Sequence, residues 1–242
     1  MSGHSKWSTI KHQKSAEDKK RGKLFSRLVK AIMIAAREGG GDPQANAKLR
    51  MAIDQAKQAN MPKENIKRAV ERGEGKDGSS QLERVVYEGY GPAKIAVMAE
   101  CITDNKNRTA AEVKSFFERN DGGLGSPGSV AYLFERKGII SLEKEKDVQD
   151  QLLKLIDLGI EDFEEDQELI EIYTQPSQLA EKKKLISQAG FLIRQAEISL
   201  EPAVSVTISE PEKKEQILKF LSGLDDLDDV QKIYCNVDLI ND

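Results

Sequence analysis

Between residues 73 and 81, in the stretch GEGKDGSSQ, the spacing of apolar residues changes from a period of three to four to a period near two. A helical architecture therefore precedes this glycine- and serine-rich stretch, a strand-containing one follows it, and the stretch itself reads as an interdomain linker. Upstream, Phe25, Leu28, Val29, Ile32, Ala35 and Ala36 predict a helix from about Glu17 to Glu38, ended by Gly39-Gly40-Gly41. Asp42 and Pro43 read as the N-cap and first residue of a second helix with a buried stripe of Leu49, Ala52, Ile53 and Ala56. Pro62 opens a third helix, through Ile66, Ala69 and Val70 to Arg72, with Gly73 as its stop.

Downstream, residues 82–89 and 93–103 predict a hairpin turning at Tyr90-Gly91-Pro92. Residues 107–120 follow as a helix with Val113, Phe116 and Phe117 inward, then the loop DGGLGSPGS and a strand through SVAYLFE. From Gly138 the order is strand 138–143, helix 147–158, strands 160–165 and 168–174, helix 177–189 and strand 192–200. That βαββαβ order is ferredoxin-like. Residues 203–208 give another strand, Ser209 and Glu212 a capping box for a helix containing Ile217, Leu218, Phe220 and Leu221, and Ile233, Cys235 and Val237 a last strand. This tail has too few strands to stand alone, so it is expected to complete the sheet begun at residue 82. The fold class is α+β and multidomain, a three-helix bundle followed by two α+β domains, the third inserted in the second. The expected boundaries are 1–76, 79–135 with 203–242, and 136–202.

Charge is distributed as unevenly as hydrophobic period. Residues 1–76 hold 18 Lys/Arg against 8 Asp/Glu, a net +10, within a chain whose overall charge is −4. A basic end on an acidic protein points to a polyanion as partner. No stretch approaches the roughly eighteen consecutive apolar residues of a membrane span, and the first thirty residues build no apolar signal core, so a cytoplasmic location without membrane association is expected. Cys101 and Cys235 form no CxxC pair and are expected as buried thiols.

The opening segment MSGHSKWSTIKHQKS reads as a flexible basic arm that brings His4, Lys6, Trp7, Lys11, His12 and Lys14 to nucleic acid. Trp7 either stacks on a base or pins the arm to the bundle. On the first helix Lys20, Lys23, Arg27 and Lys30 share one quadrant opposite the apolar stripe, a face available to phosphate. Arg50, Lys57, Lys63, Lys67 and Arg68 add positive charge on the next two helices. Those two helices read as an ordinary hairpin in preference to a helix-turn-helix reader.

The weaker motifs resolve structurally. His4 and His12 match no metal signature, and no metal or cofactor is expected. GLGSPG at 123–128 satisfies GxGxxG but follows a helix and leads to a strand, the wrong context for a dinucleotide, and no small-molecule substrate is evident. Asp104, Asn105 and Asn107 read as helix-capping residues, and Arg108 as the best isolated candidate for a second contact outside the first domain. DDLDD at 225–229 reads as a solvated loop. No GxSxG, Walker A or HExxH pattern occurs, so an enzyme is not expected.

Six motifs in register, GHSKW at 3–7, IKHQK at 10–14, AAREGGGDP at 35–43, YEGYGP at 87–92, DNKNRT at 104–109 and GSVAYLF at 128–134, resemble the YebC/PmpR family, which includes the mitochondrial translational activator of cytochrome oxidase subunit I. The resemblance covers essentially the whole chain. It implies three domains and a non-enzymatic, DNA-binding transcriptional regulator. The alternative it implies is a ribosome-associated factor that binds rRNA and aids translation of difficult sequences such as proline runs.

Overall fold

The structure, a computed structural model, describes residues 17–75, 82–166 and 168–239, with the side chains of residues 17–21 outside the description. The arm and most of the expected linker, residues 76–81, therefore lie outside the described residues. Phe134–Ala203 form one compact unit, and the remaining described residues form another.

The larger unit begins with three helices, α1 (Glu17–Gly39), α2 (Ala47–Gln58) and α3 (Lys63–Gly73). Leu28, Ile32, Ala35 and Ala36 of α1 pack against Leu49, Ala52 and Ala56 of α2 and Ile66 and Ala69 of α3 in a small core of their own. Helix α2 starts later than Asp42-Pro43 predicts. Asp42 instead closes a turn, its carboxylate accepting from Gln44 N–H at 2.9 Å, while buried Asn46 caps α2 by accepting from Leu49 N–H at 3.1 Å. The Asn46 amide also donates to the Ala35 and Gly40 carbonyls, both at 2.8 Å, so one side chain ties the end of α1 to the start of α2. This triple use outcompetes an Asp42 cap.

Gly73 is the last residue of α3, not its stop, and is buried where the helix crosses α1. A Cβ there would press on the Met33 carbonyl oxygen and lie 2.8 Å from the Ala36 Cβ. Helix propensity alone would make Gly73→Ala stabilising by about 1 kcal/mol, whereas overpacking against backbone that cannot swing aside costs about 1–3 kcal/mol. The variant is expected to lower the thermal midpoint; a raised midpoint would show that the two helices separate freely.

After the bundle, β1 (Glu83–Tyr90) and β2 (Ala96–Thr103) form an antiparallel hairpin across a 3-10 turn at Pro92–Lys94. Helix α4 (Lys106–Arg119) is capped by Asn105, and the short edge strand β3 (Gly123–Leu124) pairs with β1. SVAYLFE is not a separate strand. Residues Ala131–Leu133 form a 3-10 turn, because buried Glu88 accepts from the backbone N–H groups of Gly128 (2.8 Å), Val130 (3.0 Å) and Ala131 (2.9 Å). Burial raises the Glu88 pKa, and these three bonds outweigh it, leaving the carboxyl below its ordinary value. Local strand propensity loses to that carboxylate.

The smaller unit contains β4 (Phe134–Glu143), α5 (Val148–Asp157), β5 (Phe163–Glu165), β6 (Leu169–Thr174), α6 (Leu179–Gln188) and β7 (Ile193–Pro202). Its antiparallel sheet has the order β5-β6-β4-β7, the ferredoxin-like arrangement of a βαββαβ unit.

The chain then returns to the larger unit as β8 (Val206–Ile208), α7 (Pro211–Asp225), β9 (Val230–Cys235) and β10 (Val237–Leu239). Strand β9 pairs with β2 and completes the order β3-β1-β2-β9. Strands β8 and β10 do not join that sheet but make a separate parallel pair. Buried Asn236 breaks the expected single last strand, accepting from Ala96 N–H at 2.7 Å while its own carbonyl accepts from Val206 N–H. The N-cap of α7 is Glu210 with Pro211 in the first turn, so Ser209 makes no capping box. Helices α4 and α7 cover one face of the sheet, with Phe117 and Phe220 edge-to-face at 5.1 Å.

Candidate nucleic-acid interface

The predicted contact residues of the first domain fall into three groups. His4, Lys6, Trp7, Lys11, His12 and Lys14 lie outside the described residues, as does the side chain of Lys20. Lys23, Arg27 and Lys30, spaced by four and three residues, form one stripe on α1. That stripe does not face solvent. It rests on the turn between α7 and β9, where Asp225, Asp226 and Asp229 supply carboxylates.

Arg27 Nη2 donates to Asp225 Oδ1 at 2.9 Å and to the Asp225 carbonyl at 2.6 Å. Lys23 Nζ donates to the same carbonyl and to Asp226 Oδ1 at 2.8 Å. Lys30 Nζ reaches Asp229 Oδ1 at 2.9 Å, the Asp228 carbonyl at 3.1 Å and the Ile102 carbonyl at 3.3 Å. Two of these cations therefore lie against the C-terminal end of α7, where the helix dipole and free carbonyls favour positive charge. Only 14% of the Arg27 side chain and 12% of the Asp225 side chain is exposed, which makes this an internal ion-pair cluster, not a phosphate-ready face.

Asp229 anchors the other end of the turn. Its Oδ2 accepts from Arg108 Nη2 at 2.9 Å and from Thr109 Oγ1 at 2.7 Å. Burial raises its pKa, but the bonds from Thr109, Arg108 and Lys30 prevail and hold the carboxyl far below the usual carboxylate range. The run 225–229 is thus not the solvated loop that its composition suggests, because Asp225 and Asp229 are buried. Arg108, half exposed, commits its guanidinium to Asp104 and Asp229. Lys30, Leu82, Asp104, Arg108, Glu112, Asp228 and Asp229 line a shallow polar cleft here. Sequence reading missed Thr109 and the pairing of α1 with the acidic turn.

The third group remains on the surface. Arg50 is exposed and donates to the Pro43 and Gln44 carbonyls. Among the described residues, Lys57, Lys67 and Arg68 make helix-surface pairs, with Asp54 at 3.8 Å, Glu71 at 3.9 Å and Glu64 at 3.3 Å. Such pairs are worth a few tenths of a kcal/mol and yield readily to a phosphate. Lys63, at the start of α3, is exposed.

Among the described residues no group of three or more His, Cys, Asp or Glu is arranged to hold a metal, and no helix is long and apolar enough to cross a membrane. Both cysteines are buried thiols, and they form no disulfide with each other.

The model of the TACO1/YebC N-terminal domain matches residues 5–76, and that of the TACO1/YebC second and third domain matches residues 82–237. A probable transcriptional regulatory protein of Caldanaerobacter subterraneus subsp. tengcongensis is 47% identical over 241 residues, 99% of each chain. Another, from Dictyoglomus turgidum, is 48% identical over 242 residues, 99% of this chain and 96% of the relative. The crystal structure of a conserved hypothetical protein, Aq1575 of Aquifex aeolicus, superposes with a TM-score of 0.87 at 43% identity, covering 96% of each chain.

Proposed function

The chain belongs to the TACO1/YebC family, and from that membership we propose that it is a non-enzymatic, cytoplasmic regulator of gene expression that binds nucleic acid through its N-terminal bundle. The observation that carries the reading is the set Arg50, Lys57, Lys63, Lys67 and Arg68, which stays exposed on the bundle while Lys23, Arg27 and Lys30 of α1 are paired internally. Together with Lys6, Lys11, Lys14 and Lys20 they supply phosphate contacts, and His4, His12 and Trp7 polar and stacking contacts. Arg108 is demoted from this set by its two ion pairs. The division into modules 1–76, 79–135 with 203–242, and 136–202 belongs to the same reading.

Duplex DNA at a regulated gene is the target we place first, in line with the names of the relatives, which call those proteins probable transcriptional regulators. Ribosomal RNA is the second reading, favoured by lysines and arginines scattered over two helices, a pattern suited to shape and phosphate rather than base edges. Crosslinking of the full chain in cells, followed by sequencing of what it holds, separates them. Discrete genomic DNA fragments support the first reading and rRNA replaces it with the second. Recovery of neither, above an untagged control, overturns both.

A further inference from the structure

The stripe on α1 that the sequence assigns to phosphate is filled by carboxylates. We infer that the turn 225–229 is an internal competitor for nucleic acid: Asp225 and Asp226 occupy Lys23 and Arg27 until a polyanion displaces them and the junction between α1 and the turn opens. The inference rests on the nucleic-acid reading above and adds to it a second, self-occupied binding surface with phosphodiesters as its ligand class.

Three observations carry it. First, the bundle core and the sheet core share no residue. Second, the described polar bonds across their junction run from one side only: Lys23, Arg27 and Lys30 of α1 donate to Asp225, Asp226, Asp228, Asp229 and Ile102, and Arg37 donates to the Leu82 carbonyl at 2.6 Å. Third, beside the backbone carbonyls, the carboxylates of Asp225, Asp226 and Asp229 place anionic oxygens, the kind a nucleic-acid backbone offers, within 3 Å of Arg27, Lys23 and Lys30.

A junction of this kind opens more easily than an apolar one. Removing one partner of a buried ion pair strands the other, but separating the two returns water to both and reverses their desolvation. A polyanion then replaces the departed carboxylates with phosphates and releases its own counterions, so it binds the open form better than the closed one and shifts the population toward it. Asp229 differs from its neighbours because Thr109 and Arg108 hold it on the sheet side, where it stays when the junction opens.

The test uses the full chain with labelled duplex DNA and labelled RNA over a salt series. Asp225→Asn/Asp226→Asn is expected to bind about tenfold or more tighter at fixed salt, with a log–log salt slope steeper by about two, one unit for each further phosphate neutralised. Glu118→Gln/Glu210→Gln makes the same change in net charge at exposed positions of the same unit and is expected to leave the slope as in the wild type. Adding Lys23→Gln/Arg27→Gln to the Asn variant is expected to cancel the gain.

Equal slopes and affinities for the Asn and Gln pairs overturn the competitor while leaving nucleic-acid binding intact. If neither wild type nor Asn variant binds DNA or RNA, the nucleic-acid reading falls and the competitor with it. Should the Asn variant fail to fold, hydrogen exchange on the wild type decides. The amides of Asp226, Leu227 and Val230, bonded to Ser222, Leu224 and Leu227 carbonyls, are expected to exchange faster with saturating nucleic acid. Unchanged or slower exchange overturns the inference.

Discussion

Replacing Asp229 by alanine is expected to cost the folded state about 3–5 kcal/mol, the usual loss when one partner of a buried ion pair is removed. The side chain is only 8% exposed and satisfies three donors at once, Lys30, Arg108 and Thr109 Oγ1. Alanine leaves the Lys30 ammonium with neutral carbonyls of Asp228 and Ile102 in place of a counter-ion, leaves the Thr109 hydroxyl to Thr103 Oγ1 and the Asn105 carbonyl, and unpins the turn that brings Asp225 to α1. Asp226 offers the contrast, since its side chain is 77% exposed and Asp226→Ala is expected to cost no more than about 1 kcal/mol. Urea unfolding of the two variants checks both values, and equal losses would contradict this account of the turn.

The same carboxylate sets an acid dependence. Its pKa is depressed in the folded state, so its stabilisation is fully present above the unfolded value of about 4 and declines as pH falls below it toward the folded pKa. The wild type is therefore expected to lose stability below about pH 4 more steeply than Asp229→Ala does, because the variant has already lost this proton linkage. Parallel acid limbs would show that Asp229 is ordinary in the folded chain.

What was legible in the sequence was what rests on neighbours in sequence. The alternation from Gly138 to Leu200 yields the ferredoxin-like unit because each helix stripe and strand pattern there is local, and α5 and α6 lie within a residue or two of expectation. Local competition is harder to read. Asp42 and Asn46 are both good capping residues, and Asn46 prevails through bonds to Ala35 and Gly40, which are adjacent only once α1 has ended. SVAYLF has strand composition, but Glu88, some forty residues upstream, draws its N–H groups into a turn.

The candidate site was least legible where its two halves are farthest apart. Lys23, Arg27 and Lys30 read as a cationic stripe and DDLDD as an acidic run, and each by itself resembles a solvated surface. About two hundred residues separate them, so no local pattern pairs them. The one hint was complementarity, four cations, Lys20 with these three, in one quadrant of a helix and four acids in five positions. By contrast Arg50, Lys57, Lys63, Lys67 and Arg68 stand on the surface as their positions on amphipathic helices require.

Those five side chains carry the central claim, and the salt dependence of nucleic-acid binding tests it most directly. Changing all five to glutamine removes charge from exposed helix surfaces at a cost of a few tenths of a kcal/mol per broken pair, so the fold is retained. Affinity for duplex DNA at physiological salt is expected to fall by about a hundredfold or more, and the log–log salt slope to flatten by about four, as four or five phosphates go without a cationic partner. A variant that binds with the wild-type slope and affinity would place the gripping surface elsewhere on the molecule and contradict the account.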